Sequence, residues 1–131
     1  SQAKNSVQKT VSRNNVNEVK AISNINWKNE LSLFIESDIN KPAWKSSYRI
    51  INDLNVIKYV ALDSNLRTRQ ILIKKDLKGN FKHINIINRT KNNLYQSFEN
   101  LNYITDSIYQ IDKMQHILLI GDNHYFIKGQ F

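Results

Sequence analysis

Residues 67–91 read RTRQILIKKDLKGNFKHINIINRTK, and this stretch decides the fold. From Arg67 to Lys75 the side chains alternate. Arg69, Ile71 and Ile73 fall on one side and Thr68, Gln70 and Leu72 on the other, the period of two that a strand imposes. Lys78-Gly79-Asn80 comes next. Gly and Asn accept positive φ at little cost, so this tripeptide reads as a hairpin turn. Phe81 to Arg89 is a second isoleucine-rich run, and Thr90 to Asn93 is a second turn. Two runs joined by a tight turn are an antiparallel pair.

The pattern extends in both directions. Upstream, Trp44 to Ile51 and Val56 to Leu62 are β-like runs, divided by turns at Asn52–Asn55 and at Asp63–Asn65. Downstream, Leu94 to Tyr103 reads as a long strand. Asp106 and Ser107 turn the chain into Ile108 to Ile111, a break is expected near Asp112 and Lys113, and His116 to Ile120 continues. Gly121-Asp122-Asn123 reads as a tight turn, after which Tyr125, Ile127, Gly129 and Phe131 alternate to the last residue. The connections are too short for crossover helices, which excludes a parallel sheet. The expected fold class is α+β, mainly β: an antiparallel meander of about seven strands, as a curved sheet or a small barrel, with one N-terminal helix packed on it.

That helix is expected from Trp27 to about Glu36. Trp27, Leu31, Phe34 and Ile35 share one helical face, Asn26 suits the N-cap, and Pro42 ends any helix before it. Leu31, Leu33 and Ile35 also alternate, so a strand is the alternative there. Residues 1–24 are polar with scattered Val7, Val11, Val16 and Val19, and read as a tail or tether. The domain division is therefore a tail over 1–24 and one β-rich domain over 25–131.

At 131 residues the chain matches the commonest domain size and needs no staple to build a core. It has no cysteine, which excludes disulfides, thiolate metal sites and a cysteine nucleophile. Its longest apolar run, Ile117 to Ile120, is far too short for a membrane-spanning helix. The net charge of +8 is uneven. Between Arg67 and Lys91 there are eight bases and one acid, Asp76, whereas from Asn92 onward acids outnumber bases by four to two.

Catalytic patterns are missing. His83, His116 and His124 lack metal-ligand spacing, although His116 and His124 flank the expected Gly121 turn. Glu99, Asp106 and Asp112 lie where strand ends and turns are expected, with nothing to face them into a cleft. There is no G-x-S-x-G, no glycine-rich phosphate loop and no H-E-x-x-H. The chain thus reads as non-enzymatic, with no cofactor and no metal. The functional candidate is a basic patch of Arg67, Arg69, Lys74, Lys75, Lys82 and Arg89. Such a patch suits an acidic protein, an anionic surface or nucleic acid, while its plainer reading is a solvated sheet face.

The polar start Ser1-Gln2-Ala3-Lys4-Asn5, the stretch to Asn24, and the final strands Tyr109 to Phe131 give a layout that resembles small exported proteins and lipoproteins of Bacteroidota. The resemblance implies a compact β-rich domain held in the cell envelope, periplasmic or anchored at the outer membrane, although no lipid-bearing cysteine is present. The expected function is protein–protein binding or an accessory role there. The alternatives are a cytoplasmic nucleic-acid-binding module using residues 67–91 and a small-ligand carrier with a pocket in the curved sheet.

Overall fold

A computed structural model of the chain describes residues 6–23, 26–31, 33, 34, 37 and 46–131. Among them are β1 (Ser6–Arg13), β2 (Val16–Ser23), α1 (Trp27–Glu30), β3 (Tyr48–Asp53), β4 (Val56–Ala61), β5 (Thr68–Lys75), β6 (Phe81–Lys91), β7 (Tyr95–Ile104), β8 (Ile108–Ile117) and β9 (Gly121–Gln130). The strands form one antiparallel sheet in the order β2-β1-β9-β8-β7-β6-β5-β4-β3. From β3 to β9 every strand pairs with its neighbour in sequence. The β2 and β3 strands are the two edges, so the sheet is open and no barrel forms.

The meander is present, with three corrections. The described residues form nine strands and not about seven, because residues 6–23 form a hairpin in place of the expected tail. Asn14 and Asn15 close it with φ of 50° and 70°, the positive pair that a two-residue hairpin turn requires. Then β1 pairs with β9 from Gln8↔Gln130 to Arg13↔Tyr125. The residues before Ser6 lie outside the description. Second, the helix expected over Trp27 to about Glu36 is described only as the single turn α1; Ser32, Ile35 and Glu36 lie outside the described residues. Asn26 does cap α1, its side chain accepting from the Asn29 N–H at 3.3 Å.

Third, β8 runs unbroken past Asp112 and Lys113, and its connection to β9 is Leu118–Ile120, not Gly121–Asn123. The pairs Tyr109↔Gly129 and Ile111↔Ile127 set this register. A turn centred on Asp122 would slide β8 along β9 and take Tyr109 away from Gly129.

One face of the sheet is the core. Tyr59, Ile71, Ile86, Leu101, Ile111, Ile127 and Val11 follow one another across seven strands as successive cross-strand partners. Ile71, Ile86, Leu101 and Ile111 form its buried centre, on which Leu33 and Phe34 pack from the β2–β3 connection. A parallel row holds Ile73, Ile84, Tyr103, Tyr109 and Gly129. Trp27 covers it, with ring centroids 6.2 Å from Tyr109 and 5.4 Å from Phe131. Glu30 ties α1 to β1 through Lys9 Nζ at 2.5 Å.

The other face is polar at its centre. Asn85 donates to the side-chain oxygens of Asn100 and Asn102 at 2.8 and 2.9 Å, and Asn102 Oδ1 meets His83 Nε2 at 2.8 Å. A sheet with one apolar and one polar face needs cover on one side only.

Candidate functional site

The register between β5 and β6 splits the expected basic patch. Thr68 pairs with Asn88 and Lys75 with Phe81. Arg67, Arg69 and Arg89 therefore gather at one end of the sheet, and Lys74, Lys75 and Lys82 gather beside Gly79 at the other. Six residues of strand separate the groups, about 20 Å.

The Gly79 end is electrically mixed. Asp76 caps its own turn, accepting from the N–H groups of Lys78 and Asn80 at 2.9 and 3.0 Å. Lys75 Nζ lies 5.6 Å from the centre of the Phe81 ring. Lys82 shares a recess of about 640 Å³ with Asp76 and Asp106, whose charges oppose its own.

The other end is a cleft of about 430 Å³ lined by Arg67, Arg69, Arg89 and Lys91 together with Ser64 and Thr90. No carboxylate lines it among the described residues. A register shift between Thr68 and Gln70 makes Arg69 the extra residue of a bulge, a device that re-aims a side chain. Arg69 Nη1 donates to the carbonyls of Asp63 and Leu66, the latter at 3.2 Å, so its guanidinium is fixed by backbone. The Tyr48 hydroxyl clamps the same bulge, donating to the Thr68 carbonyl at 2.8 Å. Burial raises the Tyr48 phenol above its ordinary value, against the opposing charge of Arg69.

Arg67 is held differently. Its Nη2 meets Glu99 Oε1 at 2.6 Å, and Glu99 is only 2% exposed. Lys113 Nζ stands 3.6 Å from the other carboxylate oxygen, and Asn88 Nδ2 lies 3.2 Å from Oε1 and 2.8 Å from Ser37 Oγ. A buried carboxylate survives when paired and hydrogen-bonded, and Glu99 has both supports. The Arg89 N–H donates to the Arg67 carbonyl at 2.7 Å, which brings the two arginines together. Neither Arg89 nor Lys91 has a carboxylate partner among the described residues. The cleft thus has two fixed cations and two available ones.

Two members were missed in the sequence. Lys91 falls in the stretch expected to be a turn, whereas β6 extends through it. Glu99 reads as one scattered acid until the pairing of β6 with β7 sets it opposite Asn88.

His83 is met by Asn102 on β7, and the other two histidines have partners on the β8–β9 pair. His116 Nδ1 meets Asp122 at 2.5 Å and His124 Nε2 meets Asp112 at 2.6 Å. No group of three or more metal-ligating side chains occurs among the described residues. No helix of the described residues is long and apolar enough to cross a membrane. No family model matches the chain, and no curated protein or solved structure is similar enough to count as a match.

Proposed function

We propose that this chain is a non-enzymatic binding protein of the cell envelope that captures an anionic group in the cleft of Arg67, Arg69, Arg89 and Lys91. The observation that carries this reading is the cleft itself: four cations around one recess, with Arg67 and Arg69 held in advance by Glu99 and by backbone carbonyls. Fixing a guanidinium before the ligand arrives removes part of the ordering cost of binding. Arginine's planar donors also suit the paired oxygens of phosphate and carboxylate. The envelope setting is supported by the resemblance in layout, and fractionation of cells producing the full-length gene product tests it.

Titration with inorganic phosphate, followed by backbone amide NMR, tests the cleft. Shifts are expected in residues 63–69 and 88–91, with a Kd of about 1 mM, as suits a small anion in an open site. Arg89→Ala with Lys91→Ala weakens it about tenfold, a change of one charge-assisted contact or more. Shifts spread over the lysines beside Gly79, or none anywhere, overturn the reading.

One observation favours nucleic acid as the anion. Phe98 is exposed and stands directly opposite Arg89 on the polar face, with Met114 beyond it. A base-stacking ring beside a cation is the unit that single-strand binders repeat. Fluorescence anisotropy with a labelled oligothymidylate tests this. Binding that falls steeply with salt and disappears in Phe98→Ala supports it, and no binding at low salt removes it.

A further inference from the structure

At the cleft end of the sheet four connections lie in a row. The polar β1–β2 turn, Asn14-Asn15, comes first, then the β8–β9 turn, then the β6–β7 turn, then the β4–β5 loop, each two strands or about 10 Å from the next. The β8–β9 turn is apolar where turns are ordinarily polar, and the β6–β7 turn, Asn92-Asn93-Leu94, adds one leucine beside it. Leu118, Leu119 and Ile120 make up the whole β8–β9 connection and are 50%, 98% and 76% exposed. Leu94, 67% exposed, stands in the next turn, and its carbonyl accepts from the Leu118 N–H at 2.9 Å. The two turns are thereby knitted into one apolar ridge.

Leu119 also takes a φ of 69°, in the left-handed region where a side chain with a Cβ is penalised and Gly or Asn is usual. Folding gains nothing from leucine at that position. Glycine would relieve the backbone, and any polar residue would relieve the solvation. A residue that is unfavourable on both counts points to a use outside folding.

Cations stand immediately behind the ridge. Lys91 ends β6 just before the turn that holds Leu94, and Arg89 lies two residues further back, about 7 Å. Arg67 and Arg69 occupy the neighbouring β4–β5 connection and its bulge. Asp122, which follows the apolar turn, is held by His116.

The geometry points to an anionic lipid bilayer as what this end of the sheet docks on. Leu94, Leu118, Leu119 and Ile120 enter the boundary between headgroups and acyl chains, and Arg69, Arg89 and Lys91 lie among the headgroup phosphates. Interfacial apolar groups sink about 5–10 Å, which matches the offset between the ridge and the cations. The ridge consists of turn residues beyond the strand ends. This inference rests on the cleft being an anion site and names lipid phosphate as its ligand. The opposite end is the natural control. Leu54 and Leu77 are exposed there too, but Asp53 and Asp76 immediately precede them.

The test is co-sedimentation of the full chain with vesicles of about one-third phosphatidylglycerol in phosphatidylcholine, against pure phosphatidylcholine. Binding to the anionic vesicles alone is expected. Leu118→Ser with Leu119→Ser lowers partitioning by at least about tenfold, the worth of one buried leucine or more. Leu54→Ser with Leu77→Ser leaves it unchanged. Leu119→Gly raises the thermal midpoint while weakening binding, which separates lost docking from lost folding. Leu119→Trp gives fluorescence that shifts to the blue and is quenched by brominated lipid.

Equal binding to neutral vesicles overturns the inference, as does full binding by the double serine variant at the ridge. A preference for an oligonucleotide over vesicles at equal phosphate overturns the lipid assignment. Phosphate shifts in the cleft without vesicle binding sink the membrane docking and leave the cleft reading standing. Vesicle binding that survives Arg89→Glu with Lys91→Glu sinks the cleft reading.

Discussion

Tyr109 and Gly129 show how one residue pair sets the register of two strands. They oppose each other across β8 and β9, and the tyrosine ring occupies the space that a side chain at 129 would need. A Cβ built on Gly129 would lie 2.0 Å from Tyr109 Cε1 and 2.5 Å from its hydroxyl oxygen. Trp27 and Phe131 close over the same ring. The phenol is so enclosed that burial, aided by the Glu30 carboxylate, holds its pKa well above the ordinary tyrosine value. Gly129→Ala is therefore an overpacking change in a site with no slack, and costs about 2–3 kcal/mol in urea denaturation. Adding Tyr109→Leu to the same chain recovers part of that loss, since it removes the atoms that clash. A single variant within about 0.5 kcal/mol of the parent would mean that the ring swings aside.

At the scale of elements, the hairpin β1–β2 separates a tether from a structural part. A tether can be cut away without consequence. The hairpin instead pairs β1 with β9, buries Val7, and supplies Lys9 to Glu30. Removing residues 1–23 exposes the edge of β9 and takes Val11 from beside Ile127. The expected outcome is a thermal midpoint lower by about 10 °C or more, and concentration-dependent association in gel filtration, the usual fate of a bare edge. An unchanged midpoint would return these residues to the status of a tail.

The hairpin was hard to read because its four valines are diluted by polar residues. Only Asn14-Asn15, a pair suited to positive φ, marked the turn. The strands from Tyr48 to Ile117 were legible in outline because their alternation is dense. The β8–β9 turn was not, because Ile117-Leu118-Leu119-Ile120 is strand-like by propensity and only the distant pair Tyr109↔Gly129 overrules it. The basic patch was visible as composition. Its division was implicit in the Gly79 hairpin, which carries Arg67 and Arg89 to the far end and leaves Lys75 and Lys82 at the turn.

The whole molecule carries a net charge of +8, which by itself draws it toward any anionic surface. Overall field and local cleft are distinguishable by range. Reversing Arg89 and Lys91 to Glu removes as much net charge as reversing Lys74 and Lys75. The two pairs stand about 20 Å apart along the strands. At 0.01 M salt the screening length is about 30 Å, longer than that separation, so an approaching surface senses the total charge. At 0.15 M it is about 8 Å, and only groups at the contact count. Stopped-flow mixing with anionic vesicles is therefore expected to show both double variants slowed at low salt. At physiological salt the Lys74 and Lys75 variant returns to the parent rate, while the Arg89 and Lys91 variant stays slow by about tenfold, within the range of electrostatic steering. Equal slowing of both at high salt would mean that the protein meets its partner through its charge as a whole. In that case the apolar ridge and the fixed arginines would have no part in recognition.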